Sequence, residues 1–410
     1  MTLRRNLNYH QVLQWLLCEL RWKKLTLPAK LLTDGAISHA RTRLGVKVFI
    51  SLFQKLASFL APTEPDFHGF MTLVFDGTTL TMPDTQSNTK HFGKPKNQQR
   101  QGAFPQTRLM ALMALSGRMI IDLAFAPIAG KGTGERTLMR QILDRVSLNK
   151  ALFLFDAGFY SFSLLEALYG ANHNFLMKVS STVKLTPTTF LPDGSYLALV
   201  GGVYTVRVIR IQFPGFRPFR LITSLLDPSI SARELVRHYH ARWDIEIGYD
   251  ELKTHQSPTL RGQSPTILRS KREDLVKQEI YSLFITYNLT RHLMKDASNK
   301  HKIDPLQVSF SDTLYWIVEA VNHANNQRCR WQKQYTYLLR MISESLIDRP
   351  RRPRVAPRVI KVKSSKFSVK RTKHTSQSID YEKLIKIIKP EENELNSHSG
   401  SNKPKRLKIA

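Results

Sequence analysis

Cysteines and acidic residues are both scarce in this sequence. Its 410 residues include only two cysteines, Cys18 and Cys329, and no Cys-x-x-Cys pair. The sequence therefore predicts neither a disulfide framework nor a zinc site, and both cysteines are expected to be small buried residues. Asp and Glu total 32 against 62 Lys and Arg, a formal charge of +30. A chain this basic favours a polyanionic partner, because Lys and Arg release the counterions that condense on phosphates.

Long apolar runs are missing as well. A membrane-spanning helix needs roughly 20 consecutive apolar residues, and the best candidate, residues 109–130, is interrupted by a Ser-Gly-Arg turn and by Asp122. Two strands around that turn fit the segment better. The N-terminus is basic and then apolar, but it contains His10 and has no small-residue cleavage site. We interpret it as a cytosolic helix rather than a signal peptide, which favours a cytoplasmic protein without a membrane partner.

The periodicity of apolar residues divides the chain into regions. Residues 1–65 are predicted to be helical. Their basic residues Arg41 and Arg43 could touch DNA phosphates, as in a DNA-binding domain, or simply be solvated. Strands and helices alternate over residues 66–300, which indicates an α/β layer structure. Residues 179–225 interrupt this alternation with β-branched residues and Gly/Pro turns, and antiparallel strands are expected there.

The C-terminal part differs in composition. Helical periodicity continues over residues 301–348. From Arg349 to the end, Lys and Arg outnumber acids by 18 to 5. We expect this 349–410 tail to be disordered and to bind nucleic acids without sequence preference.

Two aspartates and one helix carry candidate chemistry. Asp76 ends the apolar run LVFD, with a turn expected at Gly77, and Asp156 ends the run LFLFD. Carboxylates at the ends of buried strands lie at the rim of a sheet, where α/β active sites are usually found. With Glu246 from a packed helix they would form an oxygen-only cage suited to Mg²⁺. Asp250 is an alternative ligand.

That helix is predicted from the stretch YHARWDIEIGYDELKTH, which begins at Tyr239. At about 100° per residue, Tyr239, Arg242, Glu246 and Lys253 fall within an arc of roughly 60°, separate from the apolar stripe that faces the core. Taken alone, the face could be a solvated one with an ion pair between Arg242 and Glu246. Beside two metal ions about 3.5–4 Å apart, Arg242 and Lys253 could instead hold phosphates, and Tyr239 could stack on a base or donate to a phosphate.

The spacing Tyr239-x2-Arg242-x3-Glu246-x6-Lys253 resembles the Y-R-E-K signature of bacterial DDE transposases of the insertion-sequence-four family. The wider similarity covers most of residues 10–295. It includes ISHARTRLG, FDGTTLTMPDTQSNTKHFG, FPQTRLMAL, FDAGFYS and QEIYSLFITYNLTR.

This resemblance implies an α/β fold with a ribonuclease-H-like catalytic core, an inserted antiparallel β subdomain, and flanking helical N- and C-terminal regions. It implies that Asp76, Asp156 and Glu246 are catalytic and bind two Mg²⁺ ions, for which Mn²⁺ could substitute. The other three signature residues, Tyr239, Arg242 and Lys253, would then contact transposon-end DNA near the cleaved phosphate.

The activity that the resemblance implies is cut-and-paste transposition. The enzyme would bind the terminal inverted repeats of an insertion sequence, cleave the ends, in some relatives through a hairpin, and join the 3′ ends to target DNA. Its partners would be double-stranded DNA and a second copy of the chain in a synaptic dimer, in a nucleoid-associated location. The alternatives are a catalytically defective DNA-binding relative that acts as an inhibitor, and a metal-dependent nuclease on the same fold that does not join DNA.

Two features depart from the family pattern. Ala157 follows the second aspartate, where the family usually has arginine. The β insertion lacks the tryptophan on which some relatives stack a flipped base, so Tyr196, Tyr204 or Phe213 would have to serve. Trp243 is expected to be a packing residue.

One further glutamate is assigned no chemistry. Glu135 follows the glycine-rich GKGTG, which lacks the ending of a P-loop, so a plain turn is predicted there.

Overall fold

The computed structural model describes residues 2–5, 7–21, 33–96, 101–146, 148, 150–213, 218–256, 268–326, 331–347, 354–355, 379–380 and 384–389. The chain forms two compact units. The first combines residues 1–151 with 243–350, and the second combines residues 152–242 with 351–410. Both units mix helices and strands, in agreement with the predicted α/β class.

Among the described residues, three helices precede the first strand. The elements are α1 (Tyr9–Arg21), α2 (Asp34–Leu44), α3 (Lys47–Leu60), β1 (Met71–Thr81), α4 (Gln86–Phe92), β2 (Gln106–Ala114), β3 (Met119–Pro127), α5 (Glu135–Leu143), β4 (Ala151–Phe155), α6 (Phe162–Gly170) and β5 (Asn174–Val179).

The rest of the chain begins with antiparallel strands and continues mainly with helices. The elements are β6 (Thr186–Phe190), β7 (Tyr196–Val200), β8 (Tyr204–Gln212), β9 (Phe219–Thr223), α7 (Ala232–His240), α8 (Asp244–Asp250), α9 (Glu273–His301), α10 (Phe310–Asn326), α11 (Trp331–Glu344), β10 (Arg354–Val355), β11 (Ile379–Asp380) and β12 (Lys386–Ile387). A 3₁₀ turn, Ala241–Trp243, joins α7 to α8, and a π-helix, Glu251–His255, follows α8. None of the helices in the described ranges is long and apolar enough to span a membrane.

In the first unit, β1, β2 and β3 form an antiparallel sheet in the order β3-β2-β1. The predicted end of the first strand at Asp76 is wrong. β1 pairs with β2 without interruption from Leu73 to Thr81, and Asp76 lies opposite Ala111 in the middle of this ladder. Gly77 has no positive φ and continues the strand. Gly77 does not form a turn. It instead lies in close contact with the first residue of the neighbouring helix α5.

Helix α9 docks on this sheet through a buried amide. The Asn288 side chain is fully buried, accepts a 2.9 Å hydrogen bond from the backbone N–H of Ile120 and donates a 2.8 Å bond to its carbonyl. Both backbone groups lie in β3, and the amide satisfies both of them. Burying a polar group is tolerated only when such partners are present.

In the second unit, β4 and β5 are parallel, and β5, β9, β8, β7 and β6 follow as antiparallel neighbours. The strands β6 to β9 fall within the range 179–225 in which antiparallel strands were expected. Within the basic tail, residues 384–389 are described, and β12 pairs with the end of β8, with Ile385 buried. The other tail residues, apart from β10 and β11, lie outside the described residues.

A buried arginine connects this β region to the start of α7. Arg207 is fully buried, donates 2.8 Å bonds to the carbonyls of Asp227 and Ile230, and forms an ion pair with Asp193. Asp193 in turn accepts a 2.7 Å bond from the N–H of Ala232, in the first turn of α7. The orientation of α7 therefore depends on a paired charge inside the second unit.

Replacing Asn288 with leucine is expected to lower the free energy of unfolding by about 2–4 kcal/mol, because the N–H and C=O of Ile120 would be buried without partners. Urea unfolding followed by circular dichroism measures the loss. The neighbouring Leu289 is 42% exposed, and Leu289→Ala is the matched control, with an expected change below about 1 kcal/mol. Equal losses in the two variants would contradict this account of the docking.

Candidate active site

The surroundings of Asp76 are set by contacts between β1 and α8. The backbone carbonyl of Asp76 accepts a 2.7 Å hydrogen bond from the Tyr249 hydroxyl, and a side-chain oxygen accepts a 2.9 Å bond from the N–H of Gly77. Burial raises the pKa of Tyr249, and the negative charge of Asp76 raises it further. A tyrosine that stays protonated is a dependable donor, so this bond holds α8 against the middle of β1.

Lys253 lies next to the same carboxylate. Its ammonium group donates to the Thr78 hydroxyl and lies 5.9 Å from the centre of the Tyr249 ring. Burial lowers the pKa of Lys253, and the nearby Asp76 charge opposes this shift. The structure thus brings together two of the predicted site residues, the first aspartate and the signature lysine.

Glu246 lies in the first turn of α8 with its side chain exposed. The same helix approaches its neighbours unusually closely at Gly248. A Cβ placed on Gly248 would lie 3.0 Å from the Tyr287 hydroxyl and 3.4 Å from the Met113 sulfur. Glycine at this position allows α8, the helix that carries Glu246, to pack closely against β2 and α9.

Glu135 lies beside the candidate site, a position that the sequence analysis did not predict. It begins α5, and a Cβ placed on Gly77 would lie only 2.9 Å from the Glu135 carboxyl carbon and from one of its oxygens. Its charge is also among the causes that raise the pKa of Tyr249. The signal was present in the sequence, because a glycine inside an otherwise β-branched and apolar strand often marks the close approach of another group.

The second unit contains Asp156 with Tyr239 and Arg242. Asp156 directly follows β4, as predicted, and its carbonyl accepts a 3.1 Å bond from the N–H of Phe159 in the turn that begins at Ala157. Ala157, which stands where the family usually has arginine, is the first residue of this 3₁₀ turn.

Tyr239 and Arg242 are both buried, whereas a face open to DNA was expected. The Tyr239 hydroxyl donates a 3.0 Å bond to the carbonyl of Phe155, immediately before Asp156. Burial raises the pKa of Tyr239, Arg242 lowers it, and Asp156 raises it. The guanidinium carbon of Arg242 lies 6.0 Å from the Tyr239 ring centre. Tyr239 therefore holds the end of β4 that presents Asp156.

The four signature residues do not lie on one uniform α-helix. Tyr239 belongs to α7, Arg242 to the 3₁₀ turn, Glu246 to α8 and Lys253 to the π-helix. The calculation at 100° per residue therefore does not apply across the whole segment, because 3₁₀ and π geometry change the angle between successive side chains.

The two arginines assigned to DNA binding in α2 have different surroundings. Arg41 bonds to the Tyr9 hydroxyl, to the Gln278 side chain at 3.3 Å and to the carbonyl of Leu275 at 3.0 Å. These contacts tie α2 to α1 and α9, so the charge of Arg41 is committed within the first unit. Arg43 is exposed, and a contact with DNA stays a prediction for both residues.

The three candidate aromatic residues of the β insertion are buried or stacked on other rings. Tyr196 is fully buried, and Phe213 is buried and stacks on Phe219 at 5.9 Å. Tyr204 stacks on Tyr169 at 4.7 Å. Trp243, expected to pack, is instead 47% exposed.

The carboxylates suit a divalent cation by their chemistry. Asp76, Asp156 and Glu246 offer only carboxylate oxygens, which hard cations such as Mg²⁺ prefer. Within the part of the chain that the structure describes, no group of three or more His, Cys, Asp or Glu side chains is arranged to hold a metal ion. The assignment of these three residues as ligands stays a prediction.

Replacing Gly77 with alanine is expected to displace the Glu135 carboxylate and to lower the free energy of unfolding by at most about 1 kcal/mol, because the new methyl group would meet the far end of this flexible side chain. Combining it with Glu135→Ala should remove most of that loss. Thermal and urea unfolding of the single and double variants measure both effects. At Gly158 an added Cβ would meet nothing within 4 Å, and Gly158→Ala serves as the control. An undiminished loss in the double variant would contradict the contact.

Comparison with known proteins gives a consistent result. Residues 68–289 match the family described as transposase DDE domain. The chain is 27% identical over 355 residues to the transposase InsG for insertion sequence element IS4 of Escherichia coli (strain K12), across 81% of this chain and 77% of that protein. It is 30% identical over 153 residues to the putative transposase InsZ of the same organism, across 36% of this chain and 50% of that protein.

Among solved structures, the piggyBac transposase synaptic complex with hairpin DNA superposes with a TM-score of 0.43. The sequences are 11% identical, and the superposition covers 69% of this chain and 59% of that one.

Proposed function

The chain belongs to the transposase DDE domain family, as a DDE transposase of the insertion-sequence-four family, and from this we propose that it performs cut-and-paste transposition. It binds the terminal inverted repeats of an insertion sequence, cleaves DNA at the ends and joins the 3′ ends to target DNA. The observation that carries the proposal is the position of Lys253, whose ammonium donates to Thr78 two residues after Asp76 on the same strand, both within the matched range. A carboxylate beside a phosphate-binding cation suits phosphoryl transfer.

The fold proposed for this activity is a ribonuclease-H-like core over residues 66–300, with the β insertion at 179–225. Support comes from the antiparallel sheet β3-β2-β1 in the first unit and the parallel pair β4-β5 in the second. The remaining boundaries proposed are the helical domain 1–65, the helical region 301–348 and the tail 349–410.

DDE transposase domains generally use divalent metal ions. In this chain Asp76, Asp156 and Glu246 are proposed to hold two Mg²⁺ ions, which Mn²⁺ could replace. When bound, such ions polarise the attacking and leaving oxygens of an in-line phosphoryl transfer. The donor chemistry of three carboxylates supports this assignment.

The other signature residues have separable tasks. Lys253, half-buried, would bind a DNA phosphate beside Asp76. Tyr239 holds the strand end before Asp156 through the Phe155 carbonyl, so it would orient that aspartate. Arg242, buried beside Tyr239, would add positive charge near the same carboxylate. The partners proposed are double-stranded DNA of the element ends and target, and a second copy of the chain in a synaptic dimer.

Each of the variants Asp76→Asn, Asp156→Asn and Glu246→Gln is expected to slow cleavage about a thousandfold or more, because each removes several kcal/mol of charge stabilisation in the transition state. The assay uses a duplex that carries the cognate terminal repeats, with Mg²⁺ or Mn²⁺, and reads nicked and joined products. Binding of the same duplex should change by less than about threefold, since base and phosphate contacts remain.

The matched control is Asp250→Asn on the same helix as Glu246. Asp250 is exposed and accepts a 2.8 Å bond from the Thr254 hydroxyl. Near-normal cleavage by any of the three variants, or an equal loss in the control, would show that the site is assigned wrongly. Nicking without joining by the intact chain would indicate a nuclease, and an absence of nicking would indicate a defective DNA-binding relative.

Lys253→Ala is expected to weaken binding to the repeat duplex and to reduce the slope of log K against log salt by about one unit, because one phosphate contact is lost. Fluorescence anisotropy at several salt concentrations measures the slope. Lys150 is exposed at the opposite end of β1, where its carbonyl accepts a 2.9 Å bond from the N–H of Met71. Lys150→Ala should leave the slope unchanged, and an unchanged slope in Lys253→Ala would remove this lysine from the phosphate contacts.

A further inference from the structure

A cluster of buried charges lies beside the candidate site in the first unit. The Glu251 carboxylate accepts hydrogen bonds from Arg118 at 3.3 Å, from Arg291, and from the Tyr287 hydroxyl at 3.4 Å. Arg118 also donates a 3.0 Å bond to Asp244, in the first turn of α8. The side chains of Glu251, Arg118 and Arg291 are only 9%, 9% and 2% exposed.

Such a cluster is costly to bury. Charges taken out of water lose several kcal/mol of hydration each, and their mutual attraction compensates only when the geometry is good. Apolar residues in place of all three charged side chains would often be no less stable. Stability alone therefore does not account for this cluster. The position of Glu251 in the chain indicates a second role.

Glu251 is the first residue of the π-helix. Its carbonyl accepts a 2.7 Å bond from the N–H of Gln256, five residues later, and the Gln256 side chain donates a 3.0 Å bond to the Leu283 carbonyl in α9. The turn is therefore held at both ends. Lys253 lies between these two anchors. π-Helical turns are rare and are found frequently at functional sites.

The partner that reaches Glu251 from the sheet adopts a special backbone conformation. Arg118 has a φ of 55°, in the left-handed region, and follows Gly117 with a φ of 79° in the turn between β2 and β3. A non-glycine residue adopts this conformation at an energetic cost, which its surroundings must offset. The bonds from Arg118 to Glu251 and Asp244 are the contacts that hold it there.

We propose that Glu251 is a positioning residue for the candidate site: clamped by Arg118, Arg291 and Tyr287, it fixes the π-helical turn that presents Lys253 beside Asp76. Glu251 touches neither DNA nor metal in this role. The identity of the group that Lys253 binds, a DNA phosphate, rests on the proposed function. The fixed turn itself does not.

The direct test measures how accessible Lys253 is in the folded full-length chain. The probe is brief acetylation with an N-hydroxysuccinimide ester, followed by peptide mass spectrometry. Glu251→Gln is expected to raise the acetylation rate of Lys253 about fivefold or more, because the turn opens more often. The rate at Lys150 should change by less than about twofold, since that site is already exposed.

The matched control is Glu279→Gln, which removes a different carboxylate of the first unit. Glu279 accepts bonds from the N–H groups of Arg269 and Ser270 at 3.0 and 2.9 Å. Its loss should lower stability and leave the acetylation of Lys253 within about twofold of wild type. A purely structural role for Glu251 predicts the same result for both variants, and an unchanged rate in Glu251→Gln overturns the proposal. If Glu251→Gln does not fold, Arg118→Lys, which keeps the charge, is expected to raise the rate about twofold to threefold, and no rise overturns the proposal.

A double-mutant cycle on DNA binding provides a second readout. If Glu251 acts through Lys253, the variant with both Glu251→Gln and Lys253→Ala should bind the repeat duplex within about twofold of Lys253→Ala alone. Fully additive losses overturn the proposal. If acetylation rises as expected but Lys253→Ala leaves DNA affinity unchanged, the positioning role is supported and the phosphate contact in the proposed function fails instead.

Discussion

The hydrogen bond from the Tyr249 hydroxyl to the backbone carbonyl of Asp76 is the contact on which the candidate site depends. It joins a helix to the middle of a strand, where a side chain has little freedom to move. Gly248 allows the close approach, since a Cβ at this position would lie 3.0 Å from the Tyr287 hydroxyl. Because Glu246 and Lys253 lie on either side of Tyr249 along the chain, the placement of both follows from this single docking.

Part of the positive charge that characterises the composition is used inside the molecule. Arg41, Arg118, Arg207 and Arg291 all donate to internal carbonyls, hydroxyls or carboxylates. Each acts as a bridge between elements that are far apart in sequence, a task for which a planar guanidinium with five donors is well suited. The net charge of +30 therefore overstates the positive charge that is available to bind a polyanion, although its sign is consistent with a DNA-binding protein.

Predictions that rest on local sequence patterns were more accurate than those that depend on contacts between residues distant in the sequence. The α/β class and the aspartate after β4 depend on local patterns of apolar and polar residues, and both were predicted. The end of β1 at Asp76 was predicted wrongly, because Gly77 indicated a local turn whereas pairing with β2 holds the chain extended. The prediction of one regular helix from Tyr239 onward was also wrong. The cluster around Glu251 favours a π-helical turn, which the periodicity of apolar residues in the sequence does not indicate.

The sequence by itself identified the family, because the signature spacing and the accompanying sequence blocks consist of residue types that the chemistry of the family requires. It also determined which residues could carry charge. Only the tertiary structure decided where those charges act: Arg41 and Tyr239 turned inward, and Glu135 came to lie against Gly77. The physical reason is that burial and close approach depend on neighbours distant along the chain, and the cost of an unpaired buried charge selects one arrangement among those that the sequence allows.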